Sequence, residues 1–297
     1  MIQPIFKGNC VASITPFDEN GQIDYKAYGK LIEFQIINKT EAFLTLGTTG
    51  EPSVLSDEEK RELIKFVVKK VNKRIKVIVG TGGSNTEKVI ADSLYAQSCG
   101  ADALLIVTPY YNKCTQNGLI AHYTKIADSV NIPIIAYNVP LRTGLNMLPK
   151  TFAKIAEHKN IKAIKEACGN IEQICELMAL VGDKAAVYSG DDALTYPMMC
   201  LGALGVISVA ANILPLKVSE LCSLAINKKY DQALVLHNKL FPLIKALFIE
   251  VSPIPVKAAA EQLGLCKNIL RLPLTKIEPK NLEIVKEQLK LFTEGGK

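Results

Sequence analysis

The chain has 297 residues, enough for one large domain with an appendage or for two domains. Its 48% apolar and 22% charged content is that of a globular protein with a sizeable core. A formal charge of +6 suits small anionic substrates, and without a basic tail or a reader motif it argues against a nucleic-acid partner.

The eight cysteines include no CxxC pair, and most lie in apolar surroundings, so they are expected to be reduced core residues of a cytoplasmic protein. The three histidines, His122, His158 and His237, are too scattered for a zinc site, and no metal is expected. Residues 1–10 lack the apolar core of a signal peptide. Residues 193–216 carry no charge and are long enough to span a bilayer. Gly202, Gly205, Asn212 and Pro215 interrupt that stretch, which fits a helix, a turn and a buried strand better than a membrane span.

Strand-like runs begin near Cys10, Ala42, Lys76, Ala103, Ile132, Ile161, Ala185 and Gly205. Most are apolar throughout rather than alternating, as in parallel strands covered on both faces. Helical patterns separate them. Ser56-Asp57-Glu58-Glu59 predicts a capping box leading into Leu63, Ile64, Val67, Val68 and Val71, with the cations of 69–74 complementing the far end of the dipole. Thr86 is predicted to open a helix that Gly100 closes, and 116–130 repeats the pattern.

Eight strand–helix cycles in roughly 228 residues predict an α/β fold, a (β/α)8 TIM barrel. Residues 1–228 are the expected catalytic barrel. Residues 229–297, where 230–250, 255–263 and 279–292 have helical spacing with no strand between them, are the expected C-terminal helical domain, used in assembly. An open dinucleotide-binding sheet would need GxGxxG after the first strand, and that position reads Thr15-Pro16-Phe17.

In such a barrel the chemistry lies at the strand ends. Those ends carry Thr48-Thr49, Tyr110-Tyr111, Tyr137-Asn138, Lys165-Glu166, Asp191-Asp192 and Ser208. Lys165 stands in an apolar run, and period-two alternation puts it on one face with Ile161, Ala163 and Ala167. An ammonium on such a face is costly, which favours the free amine, a nucleophile able to form a Schiff base with a carbonyl. Tyr137 ends the preceding run, so an amine and a phenol meet at neighbouring strand ends. That pairing suggests imine chemistry with a proton shuttle and no cofactor. A phosphate-binding barrel, using Gly80-Thr81-Gly82-Gly83 or the turn 47–50, is disfavoured because the seventh strand ends in Asp191-Asp192, which would repel phosphate.

The motifs Gly47-Thr48-Thr49-Gly50-Glu51, Val107-Thr108-Pro109-Tyr110-Tyr111, Tyr137-Asn138-Val139-Pro140-Leu141-Arg142-Thr143-Gly144 and Ile164-Lys165-Glu166-Ala167 resemble the dihydrodipicolinate synthase family. That family is part of the pyruvate-dependent class I aldolase and N-acetylneuraminate lyase superfamily. Ser189-Gly190-Asp191-Asp192, Gly205-Val206-Ile207-Ser208-Val209 and Ser252-Pro253-Ile254-Pro255-Val256-Lys257 extend the resemblance over nearly the whole chain, with Ser252 where members often carry asparagine. The resemblance implies condensation of pyruvate with L-aspartate 4-semialdehyde, the first committed step of the diaminopimelate and lysine route, in a homotetramer built from tight dimers.

It also implies residue roles. Lys165 would form the Schiff base, and Tyr137 would donate and accept protons. Thr48 would link Tyr137 to Tyr111 of a neighbouring subunit in a proton relay. Thr49 would hold the pyruvate carboxylate, the Ile207 backbone would face pyruvate, and Arg142 would orient the aldehyde substrate's carboxylate. Asp191-Asp192 is expected to be structural. Another aldolase of the superfamily, such as an N-acetylneuraminate lyase or a 2-keto-3-deoxy-sugar-acid aldolase, would share the lysine and tyrosine, whereas Arg142 and the Thr48–Tyr111 pair favour the synthase. Where feedback-inhibited bacterial members often carry two histidines and a glutamate, this chain has Asp57, Lys60 and Lys88, which disfavours binding of a cationic amino acid.

Overall fold

Eight apolar segments pair side by side in chain order: β1 (Gly8–Ala12), β2 (Ala42–Thr45), β3 (Lys76–Gly80), β4 (Ala103–Val107), β5 (Ile134–Asn138), β6 (Ile161–Glu166), β7 (Ala186–Ser189) and β8 (Gly205–Ser208). All pairings are parallel, and β1 also pairs with β8, which closes the sheet into a barrel. The computed structural model describes residues 3–182 and 184–293. Residues 1–2, 183 and 294–297, and with them the outer ends of both expected domains, lie outside the described residues.

The strands alternate with α1 (Tyr25–Ile37), α2 (Asp57–Val71), α3 (Thr86–Ser98), α4 (Gln116–Ser129), α5 (Pro140–Thr143), α6 (Pro149–Ile155), α7 (Ile171–Val181), α8 (Thr195–Cys200) and α9 (Pro215–Ile226). Three helices follow: α10 (Tyr230–Ala246), α11 (Ile254–Gln262) and α12 (Pro279–Thr293). The expected capping box opens α2, with Ser56 Oγ accepting from Glu59 N–H and Glu59 accepting from Ser56 N–H. Helix α3 opens at Thr86 as expected; Asn85 caps it, its side chain accepting from both Glu87 and Lys88 N–H, while the Thr86 hydroxyl meets His122 Nδ1 at 2.9 Å. Helix α10 stops at Ala246, short of residue 250. Apolar spacing continues beyond it because Phe248, Ile249 and Val251 line a cavity at the barrel mouth.

Two apolar cores follow from strands covered on both faces. Outside the barrel, the helices pack on residues such as Val11, Phe43, Val79, Ile106 and Ile164. Inside it, mostly small or aliphatic residues such as Cys10, Ala12, Ala103, Ala163 and Ala186 leave room for Tyr137 and Tyr188. Phe6 stacks on Tyr188 with ring centroids 4.1 Å apart, and the Tyr188 hydroxyl donates to Phe6 O at 2.8 Å, so the lumen is filled away from the strand ends.

The face of β6 needs a correction. Ile134 pairs with Ile161 and Ile135 with Ala163, so Lys162 is an extra residue in a bulge. Ala163 therefore lies in the inner core beside Tyr137, while Ile161 packs in the outer core and not on the face of Lys165. The cysteines also depart from expectation. Only Cys10, Cys222 and Cys266 are buried, while Cys175 and Cys200 lie on the outward sides of α7 and α8.

Candidate active site

β5 and β6 end in register, pairing Tyr137 with Lys165 and Asn138 with Glu166. Alternation turns the first pair into the lumen. Lys165 Nζ sits 4.4 Å from the Tyr137 ring centroid, with Lys165 6% and Tyr137 5% exposed. The second pair locks the two strand ends together. Asn138 Nδ2 donates to both Glu166 carboxylate oxygens at 3.0 and 3.1 Å, and Cys168 N–H donates to Glu166 Oε1 at 2.8 Å. Burial pushes the Glu166 carboxyl up from its ordinary range, against the pull of these hydrogen bonds. A register slip between β5 and β6 would have to break them.

Gly190, just past β7, backs the lysine. A Cβ there would stand 3.0 Å from Lys165 Cε and Cγ, so any larger residue would displace the side chain. The motif Ser189-Gly190-Asp191-Asp192 is visible in the sequence, but this close approach is a property of packing. Asp192, expected to be structural, is buried and accepts from the Ser208 hydroxyl, Val209 N–H at 2.9 Å and Ala210 N–H at 3.2 Å. It thereby fixes the chain directly after β8, whose Ile207 lies in the inner core. Asp191 caps Ala193 N–H at 2.9 Å and lines the cavity.

Thr48 and Thr49 form a one-turn 3-10 helix after β2, with Thr49 buried and Thr48 exposed. Both line a 740 Å³ cavity with Tyr137, Arg142, Lys165 and Gly190. Thr48, Tyr137 and Arg142 also line an adjoining 290 Å³ cavity that reaches Tyr110 and Lys60. Arg142, on α5, is exposed and donates from Nη2 to Ser252 O at 3.2 Å, so its guanidinium is steadied by the segment between α10 and α11.

One expected member stands apart. Tyr111 is 96% exposed, lines neither cavity, and adopts φ 62°, a left-handed conformation costly for a bulky residue. Among the described residues no hydrogen bond joins Tyr137, Thr48 and Tyr111. A single chain thus gathers Lys165, Tyr137, Thr48, Thr49 and Arg142 around these cavities, places Ile207 in the inner core without its lining either cavity, and leaves Tyr111 outside. The gathered set offers an amine nucleophile, a phenol beside it, hydroxyl donors and a guanidinium that can pair with a carboxylate.

A sequence model of the dihydrodipicolinate synthetase family matches residues 5–291. The chain belongs to that family. It is 49% identical over 290 residues to the 4-hydroxy-tetrahydrodipicolinate synthase of Thermoanaerobacter sp. (strain X514), covering 97% of each chain. The crystal structure of dihydrodipicolinate synthase from Aquifex aeolicus superposes with a TM-score of 0.95 at 47% identity, over 97% of this chain and 98% of the other. The chloride-inhibited synthase from Acinetobacter baumannii complexed with pyruvate gives a TM-score of 0.94 at 45% identity, over 96% of this chain and 98% of the other. One family member on this scaffold is thus crystallised with a keto acid, pyruvate.

Proposed function

We propose that this protein condenses pyruvate with L-aspartate 4-semialdehyde to 4-hydroxy-tetrahydrodipicolinate, the first committed step of diaminopimelate and lysine biosynthesis. The observation that carries this reading is Lys165 Nζ, nearly buried in a barrel-mouth cavity and 4.4 Å from the Tyr137 ring centroid. The Lys165 amine adds to the pyruvate carbonyl carbon, and loss of water leaves an iminium. The iminium acidifies the pyruvate methyl group, and removal of a proton gives an enamine. Its carbon attacks the aldehyde, and the amino group of the second substrate then attacks the iminium carbon, closing the ring and freeing Lys165.

Tyr137 carries protons in imine formation and cyclisation, with Thr48 and a neighbouring subunit's Tyr111 completing a relay. A phenol does this without a permanent charge beside the iminium. Thr49 holds the pyruvate carboxylate, the Ile207 backbone faces pyruvate, and Arg142 pairs with the carboxylate of the aldehyde substrate in a fork that lysine could not copy. The exposed Tyr111 supports contact with a neighbouring subunit, and assembly as a tetramer of tight dimers belongs to the same proposal. The division into a barrel, 1–228, and a helical domain, 229–297, belongs to the same proposal. No helix among the described residues is long and apolar enough to cross a membrane. A cytoplasmic location is part of the same proposal as the biosynthetic reaction.

The direct test supplies the purified protein with pyruvate and aspartate semialdehyde, and separately with N-acetylneuraminate or a 2-keto-3-deoxy-sugar acid. Turnover is expected only in the first assay. Cleavage of either sugar acid at a comparable kcat/KM would transfer the chain to another aldolase branch.

Feedback by lysine is expected to be weak or absent. Asp57, the one acid among the three positions discussed above, already pairs with Lys60 at 3.6 Å and Lys88 at 3.1 Å, and Lys88 also reaches Asp92 at 3.1 Å. The Lys88 ammonium holds the Asp57 carboxyl below its usual range. A cationic ligand would meet two like charges and a carboxylate already engaged. Steady-state rates should stay flat as lysine is added, and inhibition at millimolar lysine or below would refute this.

A further inference from the structure

Glu51 and Lys257 form a buried ion pair that no step of the reaction uses. Glu51 directly follows the Thr48–Gly50 turn and adopts φ 57° and ψ 41°, a left-handed conformation that a non-glycine residue keeps only when its surroundings enforce it. Its N–H donates to Thr48 O at 3.1 Å, so its own conformation is coupled to the turn. Lys257, on α11, is fully buried. Its Nζ faces Glu51 Oε1 at 2.5 Å and donates to Ile269 O at 2.7 Å.

The second carboxylate oxygen, Glu51 Oε2, accepts Arg271 N–H at 3.3 Å. The Phe17 ring, just after β1, takes both cations: Lys257 Nζ lies 4.1 Å and Arg271 Cζ 4.6 Å from its centroid. Arg271 also donates to Gly21 O, to Val54 O at 3.0 Å and to the Glu59 carboxylate. Two cations from the chain beyond α10 thus hold the loops after β1 and β2.

A buried ion pair is a poor source of net stability, because desolvation offsets its attraction, but in some proteins such a pair is retained because it specifies one geometry. We propose that the Glu51–Lys257 pair is a positioning device, through which α11 fixes the Thr48–Thr49 turn and so sets the affinity for the carboxylate of pyruvate. This rests on the reading that Thr49 holds that carboxylate.

The test measures the pyruvate concentration that gives half-maximal borohydride-trapped adduct on Lys165, a readout independent of overall turnover. For Lys257→Met this concentration is expected to rise about ten-fold, while KM for aspartate semialdehyde moves less than about three-fold, because a displaced turn weakens one substrate's grip and spares the other's. The neutral pair Lys257→Met with Glu51→Gln leaves no unpaired buried charge, so it should melt near the wild type yet keep a raised half-saturation of about five-fold or more. Wild-type pyruvate dependence in that folded double variant, or an equal loss for both substrates, would overturn the proposal in favour of a purely structural pair. Absence of any adduct in the wild-type protein would overturn the functional reading and this inference with it.

Discussion

Lys165→Ala is expected to abolish both synthase turnover and the pyruvate adduct trapped by borohydride. Loss of the covalent route should lower kcat by at least about four orders of magnitude, the scale on which a lost nucleophile is felt. Other amines border the same cavities, so the experiment discriminates between them. Lys60 lines the smaller cavity but pairs with Asp57, and Lys245, itself exposed near the end of α10, lines the larger one. Neither stands over Tyr137 as Lys165 does. Mass spectrometry of the reduced wild-type protein should place the three-carbon label on Lys165 alone. An adduct of similar yield on Lys60 or Lys245 in the alanine variant would sink the assignment. Folding should survive the change, since Ala163 already shows that this face of β6 accepts a small residue.

The barrel was legible because its parallel strands are covered on both faces, so each reads as a short apolar run; the runs near Cys10, Ala42 and Lys76 lie within or at β1, β2 and β3. Lys165 stood out because the residues that alternate with it, Ala163 and Ala167, are apolar and face the inner core. What the sequence hid depends on counting or on distance. Strict alternation put Ile161 with Lys165, and the extra residue Lys162 reverses that, because a bulge changes parity without changing composition. Local patterns also say nothing of partners far along the chain. Glu51 belongs to a recognisable turn and Lys257 to a recognisable motif, yet only the fold brings α11 against the loop after β2. Tyr111 is a harder case still, since its proposed partner is in another copy of the chain.

Tyr137→Phe separates binding from proton transfer. The change removes one oxygen and keeps the ring, so the packing of the inner core and the register between β5 and β6 should persist. Asn138, Glu166 and the Cys168 N–H hold that register without the phenol. Lys165 also keeps the aromatic face beneath its Nζ. The variant should therefore fold, bind pyruvate and still give a borohydride-trapped adduct, but slowly. Turnover should fall by roughly two to four orders of magnitude, the usual cost of losing a positioned proton carrier. Because imine formation and ring closure both need that proton, the pre-steady-state rate of adduct formation should fall along with kcat. If kcat stayed within about ten-fold of wild type, water or Thr48 would have to be the carrier, and the phenol would be reduced to packing. If instead the adduct rate were unchanged while kcat collapsed, Tyr137 would act in cyclisation alone. The relay through Thr48 would then serve the second half of the reaction only.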